Sequence, residues 1–394
     1  MEQIAIRAKR LFTPLEEIAD GMVVVEEGRI VAAGRREEFE LRPGTREYDA
    51  RRWTLSPGFV DIHIHGAGGH DVMEGDAAAI GHVARTIARY GTTSFVATTV
   101  TASPDDLCRS LEGIARVAGT GTQGDDSAPA AELLGIHFEG PFLSPARRGV
   151  HPPKWLAEAK PELLVRLIEA AGGAARILTM APELPGGLAL VDRGVEAGLL
   201  VAMGHTNATY EEAVAAIEHG VRHGVHVFNA MRPFSHRDTG VIGAVLTRPE
   251  VTAEVIADGV HVHAPAIQLL VAAKGTEQVI LVTDATAATA MPDGRYRLGT
   301  FEVNVSGGVC RDAEGRLAGS TLTLDRAVRQ MVELGVSTSA ALRMATYNPA
   351  RRIGIERRKG VIAPGADADL VLLDDGLHVA GVMTRRMREP AVLA

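Results

Sequence analysis

The chain has 394 residues, 46% of them hydrophobic and 23% charged, with a net charge of −8. That is ample material for one large barrel with a smaller companion, and the lack of any long Lys/Arg run beyond short clusters such as Arg357-Arg358-Lys359 excludes nucleic acid as a partner. No apolar run approaches the roughly 18 residues a membrane span needs, and two cysteines, Cys108 and Cys310, allow neither a disulfide framework nor a thiol-based zinc site and fit a cytoplasmic location.

The first segment, MEQIAIRAKRLF, interleaves charges with apolar residues and lacks the apolar core of a signal peptide. Met22–Val25 and Ile30–Ala33 flank Glu26-Glu27-Gly28-Arg29, a hairpin pattern, and residues 1 to 55 read as short strands. From Ser56 the texture changes. Strands are predicted at 59–65, 94–99, 133–140, 176–183, 199–206, 224–230, 251–259 and 278–285, with helices at 76–90, 104–117, 161–171, 208–219 and 264–274. The stretch after the sixth strand is Gly-rich and gives no clear element. Residues 287–319 form a turn-rich insertion, followed by helices at 321–334 and 338–346. Eight strands alternating with helices have the rhythm of a (β/α)8 TIM barrel. The rival, a doubly wound open sheet, would carry a Gly-rich phosphate turn that Gly66-Ala67-Gly68-Gly69 imitates only weakly. After 357 strand-like runs return, in GVIAPGADADLVLLDD and HVAGVMTRRM. The expected organisation is a small β-sandwich domain built from 1–55 and 357–394, flanking a catalytic barrel over 56–356.

In such a barrel, function sits at the C-terminal ends of the strands. Those ends carry His63 and His65, Glu139, His205, His226 and Asp284. Each alone has an ordinary explanation, as a hydrogen-bonded histidine or a helix cap. Together they come from five strands and converge on one mouth. Burying so many ionisable groups without a partner costs several kcal/mol each, and a divalent metal is such a partner. Residues i and i+2 of a strand share a face, so His63 and His65 project together. Imidazole and carboxylate donors suit Zn, Fe or Mn.

PGFVDIHIHG, HFEGP with RRGVH, GHT, HVFNAM, ADGVH and LVTDAT, in that order, resemble the amidohydrolase superfamily and more narrowly the N-acetylglucosamine-6-phosphate deacetylases. PGADADLVLLD resembles the closing strand of the superfamily's small β domain. The resemblance implies that Glu139, His205 and His226 hold a principal metal, with His63, His65, Glu139 and Asp284 around a second; Co joins Zn, Fe and Mn as a candidate. Some members carry Gln and Asn in place of the two histidines and work with one metal. Many superfamily members bridge their metals with a carboxylated lysine on strand 4. RILTMAPE has no lysine, so Glu139 takes that place.

The activity implied is metal-dependent hydrolysis of the acetamide of N-acetylglucosamine 6-phosphate, giving glucosamine 6-phosphate and acetate. Asp284 acts as the proton acceptor and donor, and His151 supports the oxyanion. An exposed loop position before Pro152-Pro153 is the plain alternative for His151. The sugar phosphate would meet Val150, His151, Asn229, Ala230, Arg237, His261, Leu317, Ala318 and Gly319. The resemblance also implies a homodimer in which Arg237 reaches the neighbouring site. Arg232 and His236 compete with Arg237, and His263 with His261. His82, His219 and His223 are read as surface or supporting residues. The galacto epimer, and a cyclic amide or N-acyl amino acid, are the alternative substrates, and a non-catalytic sugar-phosphate sensor is the alternative class.

Overall fold

The computed structural model describes residues 3–121 and 128–393. Eight strands lie side by side in chain order in one parallel sheet. They are β1 (Phe59–Ile64), β2 (Thr92–Thr99), β3 (Glu132–Glu139), β4 (Ala175–Met180), β5 (Leu200–Met203), β6 (His223–Gly224), β7 (Thr252–Val255) and β8 (Val279–Leu281). Residues just past β8 close the ring. Asp284 N donates to His63 O at 2.9 Å, and His65 N donates to Ala285 O at 2.8 Å. This closure sets Asp284 beside both strand-one histidines. Every residue of β1 and β2 is buried, which is why these strands read as nearly continuous runs rather than alternating ones.

A helix follows each strand: Ala77–Ala88, Pro104–Thr120, Pro161–Ala170, Gly187–Glu196, Tyr210–Glu218, Gly240–Thr247, Ala264–Lys274 and Leu324–Glu333. Their starts carry local signals. Ser103 Oγ accepts from Asp106 N ahead of Pro104, and Thr209 and Glu212 form a capping box. Two helices had no sequence expectation. Gly240–Thr247 (GVIGAVLT) is poor in helix formers, and burial of six of its eight residues holds it. In Gly187–Glu196, Gly194 lets the helix approach the sheet: a Cβ there would lie 2.8 Å from Val201 Cγ2. The sixth strand is much shorter than expected. It stops at Gly224, and the chain then turns sharply through His226–Ala230.

The two terminal segments share one seven-stranded sheet in the order Ala391–Val392, Val379–Met383, Leu370–Leu373, Arg46–Pro57, Gln3–Phe12, Glu17–Glu26, Arg29–Arg35. Leu370–Leu373 pairs antiparallel with Arg46–Pro57, so the sheet needs both ends of the chain. Ile6, Leu11, Val23, Leu370 and Leu372 share its main core, while Ala5, Met22 and Val24 on the opposite face pack with Phe39 and Leu41. Buried Lys359 joins this sheet to the barrel, contacting Asp367 at 2.9 Å, Asp369, and Glu132 of β3 at 2.7 Å. The insertion forms a three-stranded antiparallel sheet, Gly294–Leu298, Phe301–Ser306 and Val309–Arg311. Its apolar face, including Leu298 and Val303, packs with Val100, Val150 and Ala318 at the barrel mouth. Among the described residues no helix is long and apolar enough to cross a membrane.

Candidate metal centre and active-site cleft

The mouth of the barrel gathers its polar side chains around Glu139, the last residue of β3. Five imidazole Nε2 atoms approach its carboxylate: His226 at 3.0 Å, His205 at 3.1 Å, His63 at 3.3 Å, and His65 and His151 at 3.4 Å. Asp284 Oδ1 stands 3.1 Å from His65 Nε2 and 3.9 Å from His63 Nε2. Three of these residues occupy left-handed backbone just beyond a strand end, at φ +47° for His205, +29° for His226 and +49° for Asp284. Such conformations cost about 1–3 kcal/mol each for residues with a Cβ and persist where the surroundings over-determine them. They turn side chains that an extended strand would point elsewhere toward the barrel axis.

Hydrogen bonds to Nδ1 orient the rings. His63 Nδ1 faces Glu254 Oε2 at 3.0 Å, His65 Nδ1 faces Thr98 O at 2.9 Å, and His205 Nδ1 faces Arg147 O at 3.2 Å. Each of these partners is an acceptor, so in the neutral ring Nδ1 carries the proton and Nε2 presents a bare lone pair to the centre, the arrangement of a metal-ligating histidine. His63 Nε2 is a buried atom without a hydrogen-bond partner. His205 Nε2 and His226 Nε2 lie 3.2 Å apart with both directed at Glu139 Oε1, a convergence of nitrogen and carboxylate atoms that suits a cation. Three groups bring their donor atoms within 4.8 Å of one another: His63, His65 and Asp284; His63, Glu139 and His226; and Glu139, His151 and His205. The donor set therefore fits one or two divalent cations. His151 differs from the other rings. Its Nδ1 accepts the backbone N–H of Thr101 at 3.3 Å, which leaves the proton on Nε2. It is buried, not an exposed loop residue, and points a donor into the site.

The electrostatics follow from burial and proximity. Burial would raise the Glu139 carboxyl, but His63, and then the close His151, His205 and His226 rings, hold it well below the ordinary range. Asp284 is also depressed, burial being outweighed by the adjacent His65 ring and then by His63. Burial, then His151, lowers His205 to about 4, and burial, then His63, lowers His137 to about 3. For His63, burial is overcome by Glu139 and Glu254, and the ring is held well above its usual value. A cation at Nε2 would take the place of that proton.

The cleft above the centre is lined by His65, Glu139, His151, His205, His226 and Asp284, together with Val150, Asn229, Ala230, His261, Leu317 and Gly319. His261 is held by Asp258 Oδ2 at 2.7 Å from its Nδ1, whereas His263 is exposed at the start of the helix that follows. Gly149 and Gly319 fit the cleft wall because both have positive φ. A Cβ would meet His205 Cε1 at 3.1 Å in the first case and Asp284 O at 2.8 Å in the second. Two expected residues are not brought to the cleft. Ala318 is fully buried in the core beneath the insertion, because its neighbours in the turn face the mouth. Arg237 is exposed in the loop after β6, and Arg232 beside it is engaged by Asp238 at 2.7 Å. His82 is exposed and His219 pairs with Asp192, while His223 is fully buried.

Sequence reading missed Glu254, His137 and Asp61, all buried among the site's supports. His137 Nε2 faces Thr179 Oγ1 at 2.7 Å, and Asp61, raised to about 7 by burial, accepts from Thr283 Oγ1 at 2.6 Å. Their signal was an ionisable residue inside an otherwise apolar strand, alone in the case of Glu254 and beside the candidate ligands in the cases of Asp61 and His137. Val100 and Leu298 also line the cleft and carried no signal.

Residues 54–390 match the amidohydrolase family model. The chain is 39% identical over 376 residues to the N-acetylgalactosamine-6-phosphate deacetylase of Escherichia coli O157:H7, covering 95% of this chain and 96% of that protein. It is 35% identical to the N-acetylglucosamine-6-phosphate deacetylase of Bacillus subtilis (strain 168), covering 96% and 95%. Among solved structures, a mutant of N-acetyl-D-glucosamine-6-phosphate deacetylase from Mycobacterium smegmatis, in complex with N-acetyl-D-glucosamine-6-phosphate, superposes over 100% of both chains with a TM-score of 0.91 at 37% identity.

Proposed function

We propose that this chain, which belongs to the amidohydrolase family, hydrolyses the acetamide of N-acetylglucosamine 6-phosphate to glucosamine 6-phosphate and acetate. The observation that carries the reading is the convergence of five imidazole Nε2 atoms on the Glu139 carboxylate, with Asp284 beside them in the cleft. In this reading Glu139, His205 and His226 hold one divalent cation, and His63, His65 and Asp284 with Glu139 hold a second. Zn, Fe, Mn and Co all suit these donors.

Bound there, a divalent cation supplies Lewis acidity that makes water nucleophilic near neutral pH and polarises the amide carbonyl. Asp284, ionised and facing the cleft, takes the proton of the attacking water. His151 donates from Nε2 to the amide oxygen as negative charge develops on it. Asp284 then delivers the proton to the departing nitrogen, so the C–N bond breaks to give an amine and acetate. Val150, Leu317 and Gly319 would confine the sugar, while His261, Asn229 and Ala230 face its phosphate. Ala318 would act through the turn it holds. Arg237 serves a second copy of the chain in a homodimer; its exposure and its place outside its own cleft support this. A reducing, cytoplasmic setting accords with two buried free cysteines.

The C4 epimer, N-acetylgalactosamine 6-phosphate, is the second reading, favoured by the 39% identity to an enzyme named for it. Acetate release from both 6-phosphates and from unphosphorylated N-acetylglucosamine tests the proposal. Turnover of the gluco 6-phosphate should dominate. Equal rates with and without phosphate would sink the sugar-phosphate reading, and faster galacto turnover would transfer it to the epimer.

A further inference from the structure

Glu254 is a lone acidic residue in the middle of β7, and its side chain is completely buried. It accepts three hydrogen bonds. Oε2 takes the His63 ring at Nδ1 (3.0 Å) and the backbone N–H of His226 (3.2 Å), and Oε1 takes His223 Nε2 (2.8 Å). His223 is braced in turn, its Nδ1 2.6 Å from Thr252 Oγ1. One carboxylate oxygen thus holds the ring of a strand-one donor and the backbone of a donor from the other side of the site. The second of these is the residue at φ +29°. Glu254 lies 191 residues from His63 in sequence and does not line the cleft, so it touches no substrate.

We propose that Glu254 is a positioning residue that commits His63 to the second metal. By accepting from Nδ1 it keeps the Nε2 lone pair free and aimed at Glu139 and Asp284. It also locks the ring against rotation. Without it, His63 can protonate Nε2 instead, or turn its proton-bearing face into the site. Carboxylates that back a ligating histidine in this way typically contribute about 10–100-fold in metal affinity. The inference rests on the proposed role of His63 as a metal donor, and the test separates the two.

The full chain is loaded with Zn²⁺ and dialysed against graded chelator, with Zn²⁺ per chain measured by mass spectrometry and folding by circular dichroism. His63→Gln should reduce the content toward one per chain. Glu254→Ala should release the second Zn²⁺ at chelator activity about 10–100-fold lower than the parent, with the first retained. His63→Gln combined with Glu254→Ala should release no more of the second Zn²⁺ than His63→Gln alone, since at that site both changes act through His63. Glu254→Gln should stay within about threefold of the parent: its amide oxygen can serve His63 and His226 while its NH2 faces His223, whose Nδ1 then donates to Thr252. If His63→Gln keeps both ions, the donor role of His63 fails. If His63→Gln loses one ion but either folded Glu254→Ala retains parental affinity or Glu254→Gln behaves like Glu254→Ala, the role given to Glu254 is overturned. Should Glu254→Ala not fold, Glu254→Gln is read against the parent: affinity for the second Zn²⁺ within about threefold sustains the role, and a loss of about 10-fold or more overturns it.

Discussion

Replacing Asp284 by asparagine removes one group's ability to take a proton and one carboxylate from the proposed second metal site, with little change in shape. Asparagine is nearly isosteric, and like aspartate it tolerates left-handed backbone, so φ +49° should persist. The backbone bonds that hold the position, Asp284 N to His63 O at 2.9 Å and Ser320 N to Asp284 O at 2.7 Å, do not involve the side chain. The amide oxygen can still face His65 Nε2, now 3.1 Å from Oδ1. What disappears is transfer of a proton from water and to the leaving nitrogen. A positioned acid–base group contributes about 10²–10⁴-fold, or about 3–5 kcal/mol of barrier. The side chain is only 13% exposed, which limits replacement of its role by bulk solvent. Steady-state acetate release from N-acetylglucosamine 6-phosphate, on protein of measured metal content, should show kcat lowered by that factor with KM little changed. At least one metal per chain should remain, held by Glu139, His205 and His226. Asp284→Asn protein that is metal-loaded and turns over within about threefold of the parent would refute the proton-transfer role.

Changing His63 to Gln and His65 to Asn together should bring metal content toward one per chain while some deacetylase activity survives, as read by elemental analysis and acetate release. A double variant holding no metal would show that strand one anchors the principal ion. Arg237→Ala should raise KM for the phosphorylated sugar, and mixing it with Asp284→Asn chains should restore about a quarter of parental activity, because half the dimers are mixed and each carries one complete site. No recovery on mixing, with subunit exchange verified, would place Arg237 outside the partner's site. At the base of the barrel, Glu132 is held at about 2 rather than 4.5: Lys359 and Arg358 outweigh the burial that would raise it. Its contribution of about 3 kcal/mol is fully present above pH 4.5 and is lost as pH falls toward 2. Melting temperatures of the parent should therefore fall more steeply across that window than those of Glu132→Gln, and parallel curves would remove the linkage.

Much of this molecule was legible because the relevant signals are local. Strand and helix alternation repeats within each βα unit, and period two within β1 puts His63 and His65 on one face. The capped helices at 104 and 210 were readable for the same reason. Where the chain departs from local preference the reading failed. Gly240–Thr247 is helical through burial, against its composition. The expected strand at 224–230 contains His226, Phe228 and Ala230, all with positive φ, and no nearest-neighbour pattern announces that turn.

The sequence by itself determined the candidate donors and their order along the chain: His63, His65, Glu139, His205, His226 and Asp284, each at or just past a strand end. It also carried the pairing logic of the two terminal segments. Only the tertiary structure decided which nitrogen His63, His65 and His205 present. That choice depends on partners such as Glu254 for His63 and Arg147 for His205, 191 and 58 residues away. It likewise decided that His151 presents a donor to the cleft, because the tautomer is set by the N–H of Thr101, 50 residues away and just past the end of the adjacent strand. Residue type supplies an ionisable group; the register of distant strands decides which of its atoms faces the chemistry.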